Sequence, residues 1–267
     1  MRDANHTCAG TGRWRPDGWE VTTRVGALVP DVDVGPESEL HAMAPPGVAI
    51  HASRAPFGTQ RKGEVDPTTS RETASAFAAP ATIDGPTDLL AAAPLDVIAY
   101  CFIGSAWVLG AEGEREMIER LERRTEGIPV TAAATSTVDG LRALGARRIA
   151  LIAAAWFQPE VLELGRRFYE AAGFEVPYPA IIGLEPDQTK ITPSGLHAWI
   201  TGNLAADVEG VVIVGSGLRC VGVIEALEED LDCAVLTANQ AVLWAALRAA
   251  GADTSSVTGY GRLFGCS

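Results

Sequence analysis

Short apolar runs that alternate with longer amphipathic ones constrain this chain more than any other feature. Strand-length runs stand at Val25–Val29, Val48–Ala52, Val97–Tyr100, Val130–Ala132, Ile149–Ala153, Val211–Val214 and Ala234–Leu236. Helical patterns separate the later ones: Glu112–Thr125, Thr137–Leu144, Pro159–Ala172, Pro193–Ala206, Val221–Leu231 and Gln240–Ala250. Strand–helix alternation of this kind implies parallel sheets joined by crossovers. Residues 55–90 read as a partly helical connection rich in Gly, Pro and Thr.

A weak internal echo refines that expectation. Arg24–Pro30 resembles Arg148–Ala154, and Asp96–Tyr100 with its following turn resembles Gly210–Val214 with its own. The reading is an α/β fold of two pseudo-symmetric Rossmann-like halves, with parallel sheets facing a shared cleft. Strand ends meeting across a cleft are where such folds bind ligands. The expected boundaries are a mobile leader arm at 1–21, a first half at 22–128 with 240–267 packing back on it, and a second half at 129–239. Trp14 and Trp19 leave open a docking of the arm on the body or on a second subunit, which would make a homo-oligomer.

Charge narrows the partners. A net charge of −13 argues against nucleic acid, whose phosphates are bound by clustered Lys and Arg. It also repels anionic substrates at long range, so a carboxylate pocket must rely on local donors. The apolar runs fall far short of the ~20 residues that span a bilayer, and the start Met1–His6 lacks the apolar core of a signal peptide. The reading is a cytoplasmic protein without a membrane partner. Its 5 cysteines are scattered, with no CxxC pair, so neither a zinc site nor a disulfide framework is expected.

Four ordered stretches carry a family resemblance. They are Val25–Glu39 with Ala44–Val48, Asp96–Ser105, Gly140–Leu151, and Leu218–Glu225 continued by Thr237–Trp244 and Gly259–Leu263. Over about residues 22–266 the chain resembles the maleate isomerase and arylmalonate decarboxylase branch of the aspartate/glutamate racemase superfamily. The resemblance implies cofactor-free chemistry on a small carboxylate, with no metal. It also implies a cysteine on each of two opposing strand-end turns and, around the developing negative charge, the hydrogen-bond donors that carbanion-like intermediates require.

This chain departs from the family at those positions. Family members read Tyr-Ala-Cys-Thr-Ser-Gly-Ser at the first turn, and here the turn reads Tyr100-Cys101-Phe102-Ile103-Gly104-Ser105. Two readings stand. Gapless alignment puts Phe102 on the cysteine, whereas a one-residue deletion puts Cys101 there and aligns Gly104 and Ser105 as donors. A step of one residue reverses the facing of a side chain on a strand. At the second turn, Val214-Gly215-Ser216-Gly217-Leu218-Arg219-Cys220 leaves Gly215 in the place of the second cysteine. Ser216 and the flanking glycines Gly215 and Gly217 then serve as a carboxylate-binding turn or simply as a tight turn. Cys220, five residues on, is either a buried small thiol or a reactive one, and burial is the commoner fate of a free cysteine.

Asp33 stands where relatives carry an Asn that holds the substrate carboxylate. It implies an amino- or imine-bearing substrate or a protonated carboxyl, or else it caps the following helix. Trp156 falls near a tyrosine that donates to the intermediate in relatives, and a packing role is the alternative. Asn239 in Asn239-Gln240-Ala241 belongs beside the cleft. His51 and Arg54 follow a strand and could approach the cleft, with a place at the surface the favoured expectation. The expected catalytic residues are therefore Cys101 and Ser216, and the binding residues Asp33, Gly104, Ser105, Trp156, Gly215, Gly217 and Asn239. The leading expectation is a cofactor-independent lyase or isomerase of a small carboxylate. A carboxylate-binding protein that has lost its thiols is the alternative, with a racemase, which needs an acid or base on each face, behind both.

Overall fold

The computed structural model describes residues 18–58, 68–204 and 207–266, so most of the expected leader arm, Trp14 included, lies outside the described residues. In chain order the first half runs β1 (Thr23–Pro30), α1 (Pro36–Met43), β2 (Val48–Ala55), α2 (Arg71–Phe77), α3 (Pro80–Ala91), β3 (Val97–Tyr100), α4 (Gly104–Arg124), β4 (Val130–Ala132) and α5 (Ala133–Ala143). The second runs β5 (Arg148–Ala153), α6 (Pro159–Ala171), β6 (Glu175–Ile181), α7 (Pro193–Asn203), β7 (Gly210–Val214), α8 (Ile224–Leu231), β8 (Ala234–Thr237) and α9 (Ala238–Ala249).

All pairings between these strands are parallel, in two sheets of order β2-β1-β3-β4 and β6-β5-β7-β8. The two orders are the same when read half against half, and the internal echo maps onto it, β1 onto β5 and β3 onto β7. Each order reverses direction between its first and third strands. That reversal leaves a crevice at the strand carboxyl ends, where α/β sheets bind ligands. The residues just past β1, β3, β5 and β7 include Asp33, Cys101, Trp156 and Gly215, all singled out above.

The expected boundary between the halves shifts. β4 pairs with β3 through Ile98↔Val130 and Tyr100↔Ala132, so the first sheet runs past residue 128 and the second opens only with β5. α9, after β8, packs back on α1, β3 and β4 and lies along α5, so the C-terminal helix of one half covers the sheet of the other. β6 is absent from the sequence reading because Pro177 and Pro179 break the strand pattern. They are tolerated because β6 is an edge strand, paired only with β5.

Alternation along β3 sends neighbouring side chains into two cores. Val97, Ala99 and Cys101 join a core shared with the whole second half. Ile98, Tyr100 and Phe102 join a smaller one beneath α2, α3 and α4, with Phe57, Phe77 and Leu121. α4 starts eight residues before the expected Glu112 and is interrupted at Gly110 (φ 74°, ψ 172°), which is why only its second part shows a helical pattern in the sequence.

Candidate active site between the two halves

Asp33 sits in the loop from β1 to α1, 4% exposed. Its Oδ1 accepts from Gln188 Nε2 at 2.7 Å, and its Oδ2 accepts from the Ser216 hydroxyl. Both donors belong to the second half, so a first-half carboxylate is gripped by second-half donors. Gln188 Oε1 accepts in turn from Val34 N at 3.1 Å. Burial raises the Asp33 carboxyl above the usual range, against the lowering influence of Ser216, Gln188 and Arg54. Asp33 does not cap α1. The N-cap is Gly35, and it lacks a side-chain cap bond.

Arg54, exposed as expected, also braces this loop. Its guanidinium donates to the carbonyls of Asp31 (3.0 Å) and Asp33 (3.1 Å) and pairs with Glu37. His51 is exposed as well.

The second turn is shaped by two glycines. Gly215 has φ +124°, and a Cβ there would lie 2.6 Å from that of Ala154. At Gly217 a Cβ would lie 2.2 Å from the Gln188 amide carbon, so Gln188 reaches Asp33 only because no side chain stands in the way. The carbonyl of Ser216 accepts from Asn239 Nδ2 at 3.0 Å, and the same nitrogen donates to Glu39 Oε2 at 2.8 Å. Asn239 therefore positions the turn rather than pointing at a ligand.

Glu39, 6% exposed on α1, accepts from Cys220 N (2.6 Å) and Val221 N (3.0 Å). It serves as a cap, supplied from the first half, for the 3-10 turn Val221–Val223. Cys220 is buried, and burial beside Glu39 drives its thiol well above the usual value. Its burial disfavours the thiolate that a nucleophile needs.

The first turn is organised differently. Phe102 packs between Phe57 (ring centroids 5.1 Å apart) and Phe77 (4.9 Å), on the face away from the second half. Cys101 therefore takes the inner face. It is 1% exposed, with Sγ 3.5 Å from the Ala99 carbonyl. Burial, and then the charges of Glu37 and Asp33, push its thiol up to about 12. It is held as a neutral S–H within electrostatic reach of Asp33.

Ser105 does not face the cleft as expected. Its hydroxyl donates to the Ala74 carbonyl at 2.8 Å and meets the Tyr100 hydroxyl at 2.8 Å, fully buried. Those bonds leave it nothing to offer a ligand. Gly104 is likewise packed, with Phe102 Cζ 2.9 Å from where a Cβ would stand. Trp156 is buried, its ring edge 3.4 Å from a Cβ built at Gly215, and it forms a wall beside the second turn.

A cavity of about 410 Å³ opens beside this network, lined among others by Val34, Glu39, Gln188, Gly217 and Arg219. The guanidinium of Arg219 forms no ion pair or hydrogen bond among the described residues. No cluster of three or more His, Cys, Asp or Glu suited to a metal ion occurs among the described residues, and none of their helices is long and apolar enough to cross a membrane.

Gln188 and Glu39 are the network members that the sequence did not single out. Gln188 lies in an aperiodic loop, and nothing in its surroundings marks it. Glu39 falls within the family-like stretch after β1 and could have been suspected as a glutamate on the inner side of a short helix.

Known proteins agree with this architecture. A maleate isomerase from Pseudomonas putida S16, solved with maleate, superposes with a TM-score of 0.80 at 24% identity, over 92% of this chain and 98% of that one. Unliganded arylmalonate decarboxylase superposes at 0.72 and 22% identity, over 91% and 99%. In sequence, the maleate isomerase of Pseudomonas putida (KT2440) is 27% identical over 85% of this chain and 91% of its own length. The arylmalonate decarboxylase of Bordetella bronchiseptica is 29% identical over 53% of this chain and 60% of its own length. The model of the arylmalonate decarboxylase family matches residues 87–264, two thirds of the sequence, and the chain belongs to that family.

Proposed function

We propose that the protein is a cofactor-independent lyase or isomerase of a small carboxylate, working in the cytoplasm at the cleft where Asp33, Ser216, Gln188 and Cys101 converge. One observation carries this reading: second-half donors already hold a carboxylate there, that of Asp33. The Ser216 hydroxyl and Gln188 amide are the donor types that grip a substrate carboxylate, and Arg219 supplies a cation nearby. Malonates and maleate, after which the relatives are named, are both small dicarboxylates.

Within that reading the state of the thiol favours the lyase. A thiol held up near 12 is a poor source of thiolate, so attack on an alkene is disfavoured. It suits a proton donor. In a decarboxylation the C–C bond to the leaving carboxylate breaks, CO₂ departs with neither electron of that bond, and the pair stays on the substrate as an enediolate. Ser216 and Gln188 would stabilise that charge where it develops. The Cys101 S–H then gives its proton to the carbon, and the strongly basic thiolate regains one from solvent.

The alternative, a carboxylate-binding protein without turnover, is favoured by one feature, Gly215 in place of a second thiol. The deciding experiment runs aryl- and alkylmalonates and maleate in D₂O, with CO₂ release and α-carbon deuteration followed by NMR. Cys101→Ala should lower turnover by about 10²–10⁴-fold and leave ligand affinity within about twofold. Binding without turnover in the parent protein would establish the alternative, and full activity in Cys101→Ala would remove the thiol from the mechanism.

A further inference from the structure

A second cavity, of about 450 Å³, shares no lining residue with the one beside Asp33 and lies where α4 of the first half meets α5 and α6. Its floor is apolar, built from Val138, Leu164, Phe168 and the ring of Trp107. Trp107 is 3% exposed and packs closely on α6, so that a Cβ at Gly165 would lie 2.6 Å from its ring. Its Nε1 nonetheless has no acceptor among the described residues. A buried indole N–H normally finds one, and this one belongs to a cavity wall.

Two arginines stand at the rim. Arg167 spends only its Nε, on Glu163 at 2.9 Å, and its terminal nitrogens have no partner among the described residues. Arg142 makes long contacts to Asp139 (3.4 Å) and the Ala172 carbonyl (3.2 Å). Asp139 and Glu163 offset part of this charge, and neither is among the residues lining the cavity. An apolar floor, one buried unpaired donor and two underused guanidiniums call for a ligand with an apolar body and an anionic head.

We propose that this groove binds an amphipathic monocarboxylate, an aromatic or short alkyl acid. Its body lies on Leu164 and Phe168, its carboxylate reaches Arg142 and Arg167, and an oxygen accepts from Trp107 Nε1. The site is built to influence the cleft. The first segment of α4 is set off from the rest by the break at Gly110, it carries Trp107, and it begins three residues past Cys101. A ligand wedged between α4 and α6 sits at the junction of the halves and holds that segment. Binding stands on the groove alone; the influence on turnover rests on the function proposed above.

The test is calorimetric titration of the full chain with octanoate, with octanol and octylamine as controls, and hydrogen–deuterium exchange at saturation. Saturable one-to-one binding is expected, with octanol and octylamine at least about 10-fold weaker. Trp107→Phe should weaken octanoate by about fivefold, one lost hydrogen bond. The exposed pair Arg142→Gln/Arg167→Gln, which leaves the core untouched, should weaken it by about 10-fold or more. Ser216→Ala should leave it unchanged, and exchange should slow across 104–111 and 161–172. No saturation, equal binding of octanol, or loss of binding in Ser216→Ala with protection only at 31–39 and 215–220 would overturn the proposal. Because the titration needs no turnover, its failure is distinct from failure of the proposed reaction.

Discussion

The turn after β3 and the turn after β7 hold equivalent places in two sheets of the same order, yet they spend their polar groups in opposite ways. The first turn is sealed. Ser105 is committed to Tyr100 and Ala74, Phe102 is clamped among phenylalanines, and Cys101 and Ile103 face the core shared with the other half. The second turn reaches across. Ser216 bonds to Asp33, Gly217 lets Gln188 pass, and Asn239 and Glu39 hold the backbone from behind. Two copies of one supersecondary plan thus differ, one burying a thiol and the other holding the carboxylate of Asp33. The difference follows from packing. A turn locked into a core can keep a thiol dry and neutral, whereas a turn whose donors reach across to the other half can hold a carboxylate.

The largest stability effect that would test this difference is at Gly215. A side chain there would collide with Ala154 and take an unfavourable φ, and the two costs together are about 2–5 kcal/mol. Gly215→Ala should be destabilised by that amount in urea melts, and Gly215→Cys should fail to gain a second working thiol. Gly104→Ala meets a ring edge at ordinary helical φ and should lose only about 1–2 kcal/mol. A Gly215→Cys variant of parental stability that racemises substrate would erase the distinction between the turns.

A second comparison concerns the two buried glutamates of the first half. Glu39 caps the backbone behind the second turn, and Glu114, on α4, accepts from Thr135 and from the first turn of α5. Burial lifts the Glu114 carboxyl up to about 7. Since the folded value lies above the ordinary 4.5, the neutral carboxyl contributes stability in full below about 4.5, and that contribution is lost as pH rises through about 7. The loss is on the order of 3 kcal/mol. Glu114→Gln should therefore match the parent near pH 4.5 in denaturant melts and exceed it near pH 8. An identical pH profile in parent and variant would refute a buried, neutral Glu114.

The smallest effects separate the serines. Ser216→Ala should weaken carboxylate binding by about 1–2 kcal/mol in calorimetry and, by taking a donor from the buried Asp33, cost about 1 kcal/mol of stability. Ser105→Ala should cost about 1 kcal/mol of stability with affinity intact. If Ser105→Ala impairs binding as much as Ser216→Ala does, the first turn is not sealed and the comparison fails.

Seven of the eight described strands were legible in the amino-acid sequence from short apolar-rich runs, which are continuous in the inner strands β1, β3, β5 and β7, buried on both faces. So was the placing of Asp33, Cys101, Trp156 and Gly215 at strand ends, from the echo between the halves and the family-like stretches. β6 was hidden by its prolines, which only an edge position excuses. The first turns of α4 were hidden because Gly110 divides the helix and its leading segment is too short to show a period. Ser105 read as a donor because nothing local reveals that Ala74, 31 residues away, takes its proton.

What the sequence by itself determined was the alternation that makes two parallel sheets, and hence the crevice in which a site must lie. Which side chains enter that crevice was decided by tertiary structure. Cys101 faces inward because Phe57 and Phe77 offer Phe102 a better-packed home on the other side of β3. Gln188 and Glu39 join the site across 155 and 181 residues of chain. Apolar periodicity is written locally, one residue after the next. A buried hydrogen bond needs two partners, and no local pattern says which distant residue will be the second.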